Sequence, residues 1–111
     1  MELTVIERIG LARSGVLLGS DDAILDARGL LIENNPVVGY GLLVRLEDVS
    51  GVSGTGDVAL VERLRSGILL VRWVAGGGLT VWASTVAPLN VHGHDGRTFI
   101  EWADGTQEVT S

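Results

Sequence analysis

The chain has 111 residues, of which 46% are apolar and 20% are charged, so we expect one folded domain, 1–111, and not a disordered tail. Its formal net charge is −6, and its bases are eight scattered arginines, which form no basic stripe and argue against a nucleic-acid partner. Cysteine is absent, which excludes disulfides, thiolate nucleophiles and cysteine-ligated zinc.

The mean hydropathy of +0.36 is high for a soluble protein. No apolar run reaches the roughly 18–20 residues that a membrane helix requires. Glu2 and Glu7 occupy the region where a signal peptide would carry positive charge. We therefore expect a soluble protein of the cytoplasm or of a virion, without a membrane partner, that covers part of its apolar surface by self-association.

The first half of the chain is predicted to form short strands. Four segments rich in valine, leucine and isoleucine are bounded by turn-forming residues: 3–9, 15–19, 29–33 and 37–46. The stretch 21–33 stays open between helix and strand, because Asp21 favours a helix start whereas Gly29 disfavours a helix interior. The glycine- and serine-rich residues 50–56 are typical of a linker.

The second half of the chain has clearer strand signals. A three-stranded meander is predicted, with glycine-containing turns between its strands: 58–64, 68–74 and 79–83. A hairpin follows over 97–110, where A-D-G at 103–105 is a strong turn. These patterns predict an all-β fold with at most one short helix, either a small antiparallel barrel or a two-sheet sandwich.

One phrase occurs twice in the chain. R-S-G-V-L-L at 13–18 matches R-S-G-I-L-L at 65–70, with an offset of 52 residues. One interpretation is an internal duplication into halves 1–55 and 56–111 that share one core with pseudo-twofold symmetry. The other is that the two copies are independent hairpin turns, in which Gly15 and Gly67 reverse the chain.

Residues 56–91 run G-D-V-A-L-V, a turn, L-L-V-R-W, a glycine turn, L-T-V-W and then V-A-P-L. This order resembles the SH3-like small β-barrels of the Tudor type. That family consists mostly of non-catalytic binding modules, so the resemblance implies a role in recognition or assembly.

Four aromatic residues are the candidate binding or interface residues: Trp73, Trp82, Trp102 and Tyr40. If Val74 pairs with Leu79, the two tryptophans of the meander become diagonal neighbours on one sheet face. Three of the aromatics then form a cage for a methylated cation. The alternative is that the tryptophans fill a core or an oligomer interface.

A candidate metal site is formed by His92, His94 and Asp95, because alternate residues of an extended segment point the same way. The alternative is an exposed polar turn, and on balance we expect no metal and no cofactor. The carboxylates offer no catalytic pair, and Glu62 and Glu101 are predicted to face solvent from mid-strand positions.

The leading functional prediction is a non-enzymatic structural protein that forms homo-oligomers or docks on a larger assembly. A virion component, such as a capsid-decorating or connector subunit, fits this description. The second hypothesis is a peptide- or ligand-recognition module that uses the aromatic residues. The third is a metal-dependent hydrolase with His92 and His94 at its centre.

Overall fold

Two helices precede six strands in the computed structural model of the chain, which describes residues 2–46, 56–84 and 98–109. The helices are α1 (Val5–Gly19) and α2 (Asp22–Ile32). The strands are β1 (Val37–Arg45), β2 (Gly56–Leu64), β3 (Leu69–Trp73), β4 (Leu79–Trp82), β5 (Thr98–Trp102) and β6 (Gln107–Val109). The fold is therefore α+β, and the all-β prediction is wrong.

Helix α1 replaces the two strands predicted over 3–9 and 15–19. Its start is a capping box, in which the Thr4 hydroxyl accepts from the Glu7 backbone N–H and the Glu7 carboxylate accepts from the Thr4 N–H. Ile9, Ala12 and Val16 are buried at the i, i+3, i+7 spacing of one helix face. The cap and this buried seam outweigh the strand preference of the valines and isoleucines.

Helix α2 resolves the open choice over 21–33 in favour of a helix. The Asp21 carboxylate accepts from the backbone N–H of Ile24 at 2.9 Å and caps the helix. The chain leaves the helix through Asn34, which adopts a left-handed φ of 61°. Asn35 then exchanges two hydrogen bonds with Ser66, of 2.9 and 3.0 Å, and ties the end of the helix to the β2–β3 turn.

All six strands belong to one antiparallel sheet of order β4-β3-β2-β1-β5-β6. The predicted meander and C-terminal hairpin are confirmed as β2-β3-β4 and β5-β6. The sheet is open, with β4 and β6 as its edges among the described residues, so the predicted barrel or sandwich and the SH3-like resemblance are wrong. The reason is the long strand β1, which inserts between β2 and β5 and extends the meander into a wider sheet.

Alternate residues of the sheet supply two separate apolar clusters. Helix α1 packs through its buried seam on one face, against Leu42, Val44 and Leu60. The other face carries the larger cluster: Leu43, Val58, Ala59, Val61, Leu69, Val71, Ile100 and Trp102. Both faces of the central strands are thus buried, which explains their almost continuous apolar sequence.

An ion-pair network anchors α1 to the sheet. The Arg8 guanidinium contacts Asp57 of β2 and Glu101 of β5, each with an N–O distance of 2.6 Å. Hydrogen bonding to Asp57, together with Glu101, raises the pKa of Arg8 despite its partial burial. Glu101 therefore faces the helix, and the prediction that it is a solvent-facing residue is wrong.

The repeated phrase adopts two different structures. Residues 13–18 lie inside helix α1, whereas 65–70 form the β2–β3 turn and enter β3. Gly67 reverses the chain with a φ of 96°, but Gly15 is helical. The described parts of the halves 1–55 and 56–111 therefore differ in secondary structure, and the pseudo-twofold symmetry of the duplication interpretation is absent from them.

Candidate functional site

A cavity of about 370 Å³ lies between the two helices and the sheet. Helices contribute Gly10, Arg13, Ser14, Leu17 and Arg28, and strands contribute Leu60, Glu62 and Arg72. We call this the arginine pocket. Three arginines and one glutamate line it, so the described lining carries a net charge of about +2 at neutral pH, when arginine and glutamate are both ionised.

The floor of the arginine pocket holds a buried ion pair. Glu62 of β2 is 1% exposed, and Arg28 reaches it from α2. The Arg28 Nε donates to Oε1 at 2.9 Å, and a terminal nitrogen donates to Oε2 at 2.5 Å. This bidentate contact raises the pKa of Arg28. Glu62 was predicted to face solvent, and the structure corrects that prediction, since α2 covers this position.

Arg72 of β3 lies against the same carboxylate but is held less tightly. One of its terminal nitrogens is 3.6 Å from Glu62, and the other donates to the Ser20 hydroxyl at 3.1 Å. The residue is 6% exposed, and its Nε is buried without a hydrogen-bond partner among the described residues. Burial lowers the pKa of Arg72, because desolvation outweighs the attraction of a carboxylate at this distance.

Arg13 of α1 forms the side of the arginine pocket. Its guanidinium carbon lies 4.5 Å from the centroid of the Tyr40 ring on β1. A cation–π contact of this kind orients the guanidinium and leaves its N–H groups available. No carboxylate partner of Arg13 is found in residues 2–46, 56–84 and 98–109.

The arrangement suits the binding of an anion. Arg13 lies at the wall without a carboxylate partner among the described residues, and the Arg72 guanidinium lies at the floor, 3.6 Å from Glu62. Guanidinium groups match the geometry of carboxylate and phosphate oxygens. Leu17 and Leu60 give the pocket apolar surface beside these donors, so it offers contacts to a molecule with both an acidic and an apolar part.

Three of the four predicted aromatic residues lie on one face of the sheet, and Tyr40 lies on the other. Trp102 is 4% exposed in the cluster of the larger sheet face, and Trp73 and Trp82 pack against that cluster while both donate to the Thr80 hydroxyl. Tyr40 lies on the opposite face, beneath Arg13.

The predicted register of the β3–β4 hairpin is also corrected. Leu79 pairs with Arg72, two residues before the predicted partner Val74. The longer turn, with Trp73 N–H donating to Gly78 O, accounts for this shift.

His92, His94 and Asp95, the candidate metal ligands, lie outside the described residues. Within residues 2–46, 56–84 and 98–109 no group of three potential metal-ligating side chains occurs. The described helices also include none that is long and apolar enough to cross a membrane.

Sequence reasoning did not identify the arginine pocket. Arg13, Arg28 and Arg72 are separated along the chain and form no basic stripe in the sequence, and Glu62 is predicted there to face solvent. One signal was available in L-L-V-R-W at 69–73, where a charged residue interrupts a strand that is apolar on both faces. A charged residue inside a buried strand normally has a partner of opposite charge, because an unpaired buried charge is energetically costly.

The family model described as Acb5 phage protein matches residues 40–104, which is more than half of the chain. The matched range contains Tyr40, Glu62 and Arg72 of the sheet but not Arg13 or Arg28 of the helices. No curated protein and no solved structure matches the chain.

Proposed function

We propose that this chain, which belongs to the Acb5 phage protein family, binds a small anionic molecule in the arginine pocket. The observation that carries the proposal is a pair of guanidinium groups that line one pocket: Arg13 has no carboxylate partner among the described residues, and the Arg72 guanidinium is 3.6 Å from its Glu62 partner. An oxygen of a bound anion can accept hydrogen bonds from these two guanidinium groups, and such charge-assisted bonds are stronger than neutral ones.

Local charge supports an anionic ligand. The whole chain carries a formal net charge of −6, yet the described lining of one cavity has three of the eight arginines and a single glutamate. Glu62 already accepts from Arg28 through both of its oxygens. One carboxylate is therefore shared between Arg28 and Arg72, and Arg13 has no carboxylate partner among the described residues, so the described lining keeps a net positive charge for a ligand.

The chemistry of the pocket defines the class of ligand. A phosphate or carboxylate group accepts from Arg13 and Arg72, and the rest of the molecule lies against Leu17 and Leu60. The proposal keeps the recognition function that the sequence suggested as its second hypothesis. It transfers that function from the aromatic residues to the arginines.

Membership in a phage family is consistent with a virion component. A capsid-decorating or connector role, and action without catalysis, remain predictions. Mass spectrometry of purified phage particles tests the first of these. A protein abundant in the infected cell but missing from the particle would contradict it.

Isothermal titration calorimetry tests anion binding with pyrophosphate and citrate as probes. We expect one site per chain, with an affinity that falls as salt is added, because the attraction is between ions. Replacing Arg13→Ala removes charge-assisted hydrogen bonds worth ~1.5–3 kcal/mol, which weakens binding roughly 10- to 100-fold. A preference between the two probes assigns the acidic group as phosphate or carboxylate.

Arg65→Ala is the matched control, because Arg65 is an exposed arginine of the β2–β3 turn and does not line the pocket. It removes the same net charge and is expected to leave both affinities within a factor of about two, since exposed distant charges are screened. Equal losses in the two variants, or no binding of either probe to the wild type, would contradict the proposal.

A further inference from the structure

Helix α2 has an exposed apolar face that packs against no other described element of the chain. Ala23, Ala27, Leu30 and Leu31 are all exposed, Leu30 to 73%. They follow the i, i+4, i+7, i+8 spacing of one helix side, and we call them the α2 stripe. Partly buried residues of the helix, such as Leu25, Arg28 and Ile32, lie on the other side.

The inward contacts of α2 are weak for a helix of this length. The helix has 11 residues and none of them is buried. A helix shorter than roughly 12–15 residues is marginal in water on its own and depends on packing for its stability. A helix with apolar residues on two opposite sides normally packs against other protein surface on both of those sides.

The α2 stripe is complementary to itself. Its first half carries the two alanines and its second half the two leucines. When two copies of the helix lie antiparallel about a twofold axis at Ala27, the leucines of each copy cover the alanines of the other. Large side chains then fill the space left by small ones, as a closed twofold interface requires.

We propose that α2 pairs antiparallel with the α2 helix of a second copy of this chain, through the α2 stripe. Asp22, Asp26 and Glu33 lie on or beside this helix, so two copies bring like charges together and the dimer strengthens as salt is added. A single short helix buries little area, so the dimer is reversible and depends on concentration. This inference does not rest on the proposed function.

Sedimentation velocity of the full chain tests the pairing. The wild type is expected to move from 11.7 kDa towards twice that mass as its concentration rises, with more dimer at higher salt. Leu30→Glu places a charge in the stripe and is expected to remain at the monomer mass. Leu11→Glu changes a leucine of α1 that is 63% exposed and lies outside the stripe, so it is expected to dimerise like the wild type.

Far-ultraviolet circular dichroism checks that both variants fold, which their exposed positions favour. A wild type that stays at 11.7 kDa at every concentration would overturn the proposal. A dimer that persists in Leu30→Glu would overturn it as well. The salt response separates this result from anion binding, which weakens under the same change.

Disulfide trapping tests the orientation, since the chain has no cysteine of its own. Two single variants, Ala23→Cys and Leu31→Cys, are mixed and oxidised, one of them with an affinity tag. Antiparallel pairing predicts that the mixed disulfide dominates. Homodimers of each variant alone would indicate parallel helices and overturn the proposal.

Discussion

The Arg13 guanidinium lies over the ring of Tyr40, with 4.5 Å between the guanidinium carbon and the ring centroid. This contact joins helix α1 to strand β1 at the arginine pocket. The ring of Tyr40 contacts the Arg13 guanidinium without accepting its N–H hydrogen bonds. In the same pocket, the carboxylate of Glu62 accepts two hydrogen bonds from Arg28. The two arginines therefore have different roles, one in contacting a ligand and the other in holding α2 to the sheet.

The first prediction concerns this ring. Tyr40→Leu removes the π face and with it ~0.5–1 kcal/mol of cation–π attraction that orients Arg13. We expect a several-fold weaker affinity for pyrophosphate, measured by calorimetry, in a protein that remains folded. Tyr40→Phe keeps the ring and is the control, expected to bind like the wild type. Loss of affinity in both variants would implicate the hydroxyl and contradict this role of the ring.

The second prediction concerns the buried carboxylate. Glu62→Gln leaves Arg28 and Arg72 without their counter-charge at a site where the wild-type residue is 1% exposed. Removing one partner of a buried ion pair costs about 3–5 kcal/mol of stability. Urea denaturation measures the change. Glu33→Gln alters an exposed residue and is expected to change the stability little. Equal losses of stability in Glu62→Gln and Glu33→Gln would contradict the role of Glu62.

The third prediction separates two glycines. Gly15 lies within α1 with no other atom within 4 Å of an added Cβ, so Gly15→Ala is expected to stabilise the protein by about 1 kcal/mol through helix propensity. Gly41 pairs with Trp102, and a Cβ there would lie 2.8 Å from Cε3 of the indole. Gly41→Ala is expected to destabilise by ~1–3 kcal/mol through overpacking. Denaturation midpoints that shift in the same direction for both variants would contradict these assignments.

The strands were predictable from the sequence because each strand is a short apolar segment and turns that contain glycine separate most of these segments. Helix α1 was not, because its leucines and isoleucines surround the helix: Ile9 is buried, whereas Ile6 is 66% and Leu17 is 59% exposed. No period of 3.6 is visible in such a segment. The capping box T-x-x-E at Thr4 was the signal that favoured a helix.

The arginine pocket depends on tertiary structure and was therefore beyond sequence patterns. Its charged residues come from α1, α2, β2 and β3, and only the packing of the helices on the sheet brings them together. Glu62 was predicted to face solvent because a strand in which apolar and polar residues alternate usually has one solvent-exposed face. Here α2 lies over that face and brings Arg28 to the carboxylate.

The fourth prediction concerns acid pH. The Asp104 carboxylate accepts from the Thr106 hydroxyl at 2.6 Å and from the Thr106 N–H at 2.9 Å, which lowers the pKa of Asp104 below 3.8. A group whose pKa falls on folding stabilises the native state above its unfolded pKa, and this contribution is lost as the pH falls through the folded pKa. Nuclear magnetic resonance titration of the carboxyl carbon measures the pKa directly.

Thr106→Val is expected to return the pKa of Asp104 towards 3.8 by removing the hydroxyl donor. The same variant is expected to lose less stability than the wild type when the pH is lowered from 5 to about 2. An unchanged pKa in this variant would show that the hydroxyl bond does not hold the carboxylate.

Arginine Nε–H resonances, recorded by nuclear magnetic resonance during a titration with pyrophosphate, test anion binding in the pocket most directly. We expect the Arg72 signal to shift and saturate together with that of Arg13, because the guanidinium groups of both residues line the pocket and sense the charge of a bound anion. The signal of Arg65, in the exposed turn, is predicted to stay in place. A titration that moves Arg65 while Arg72 and Arg13 remain unchanged would contradict the account.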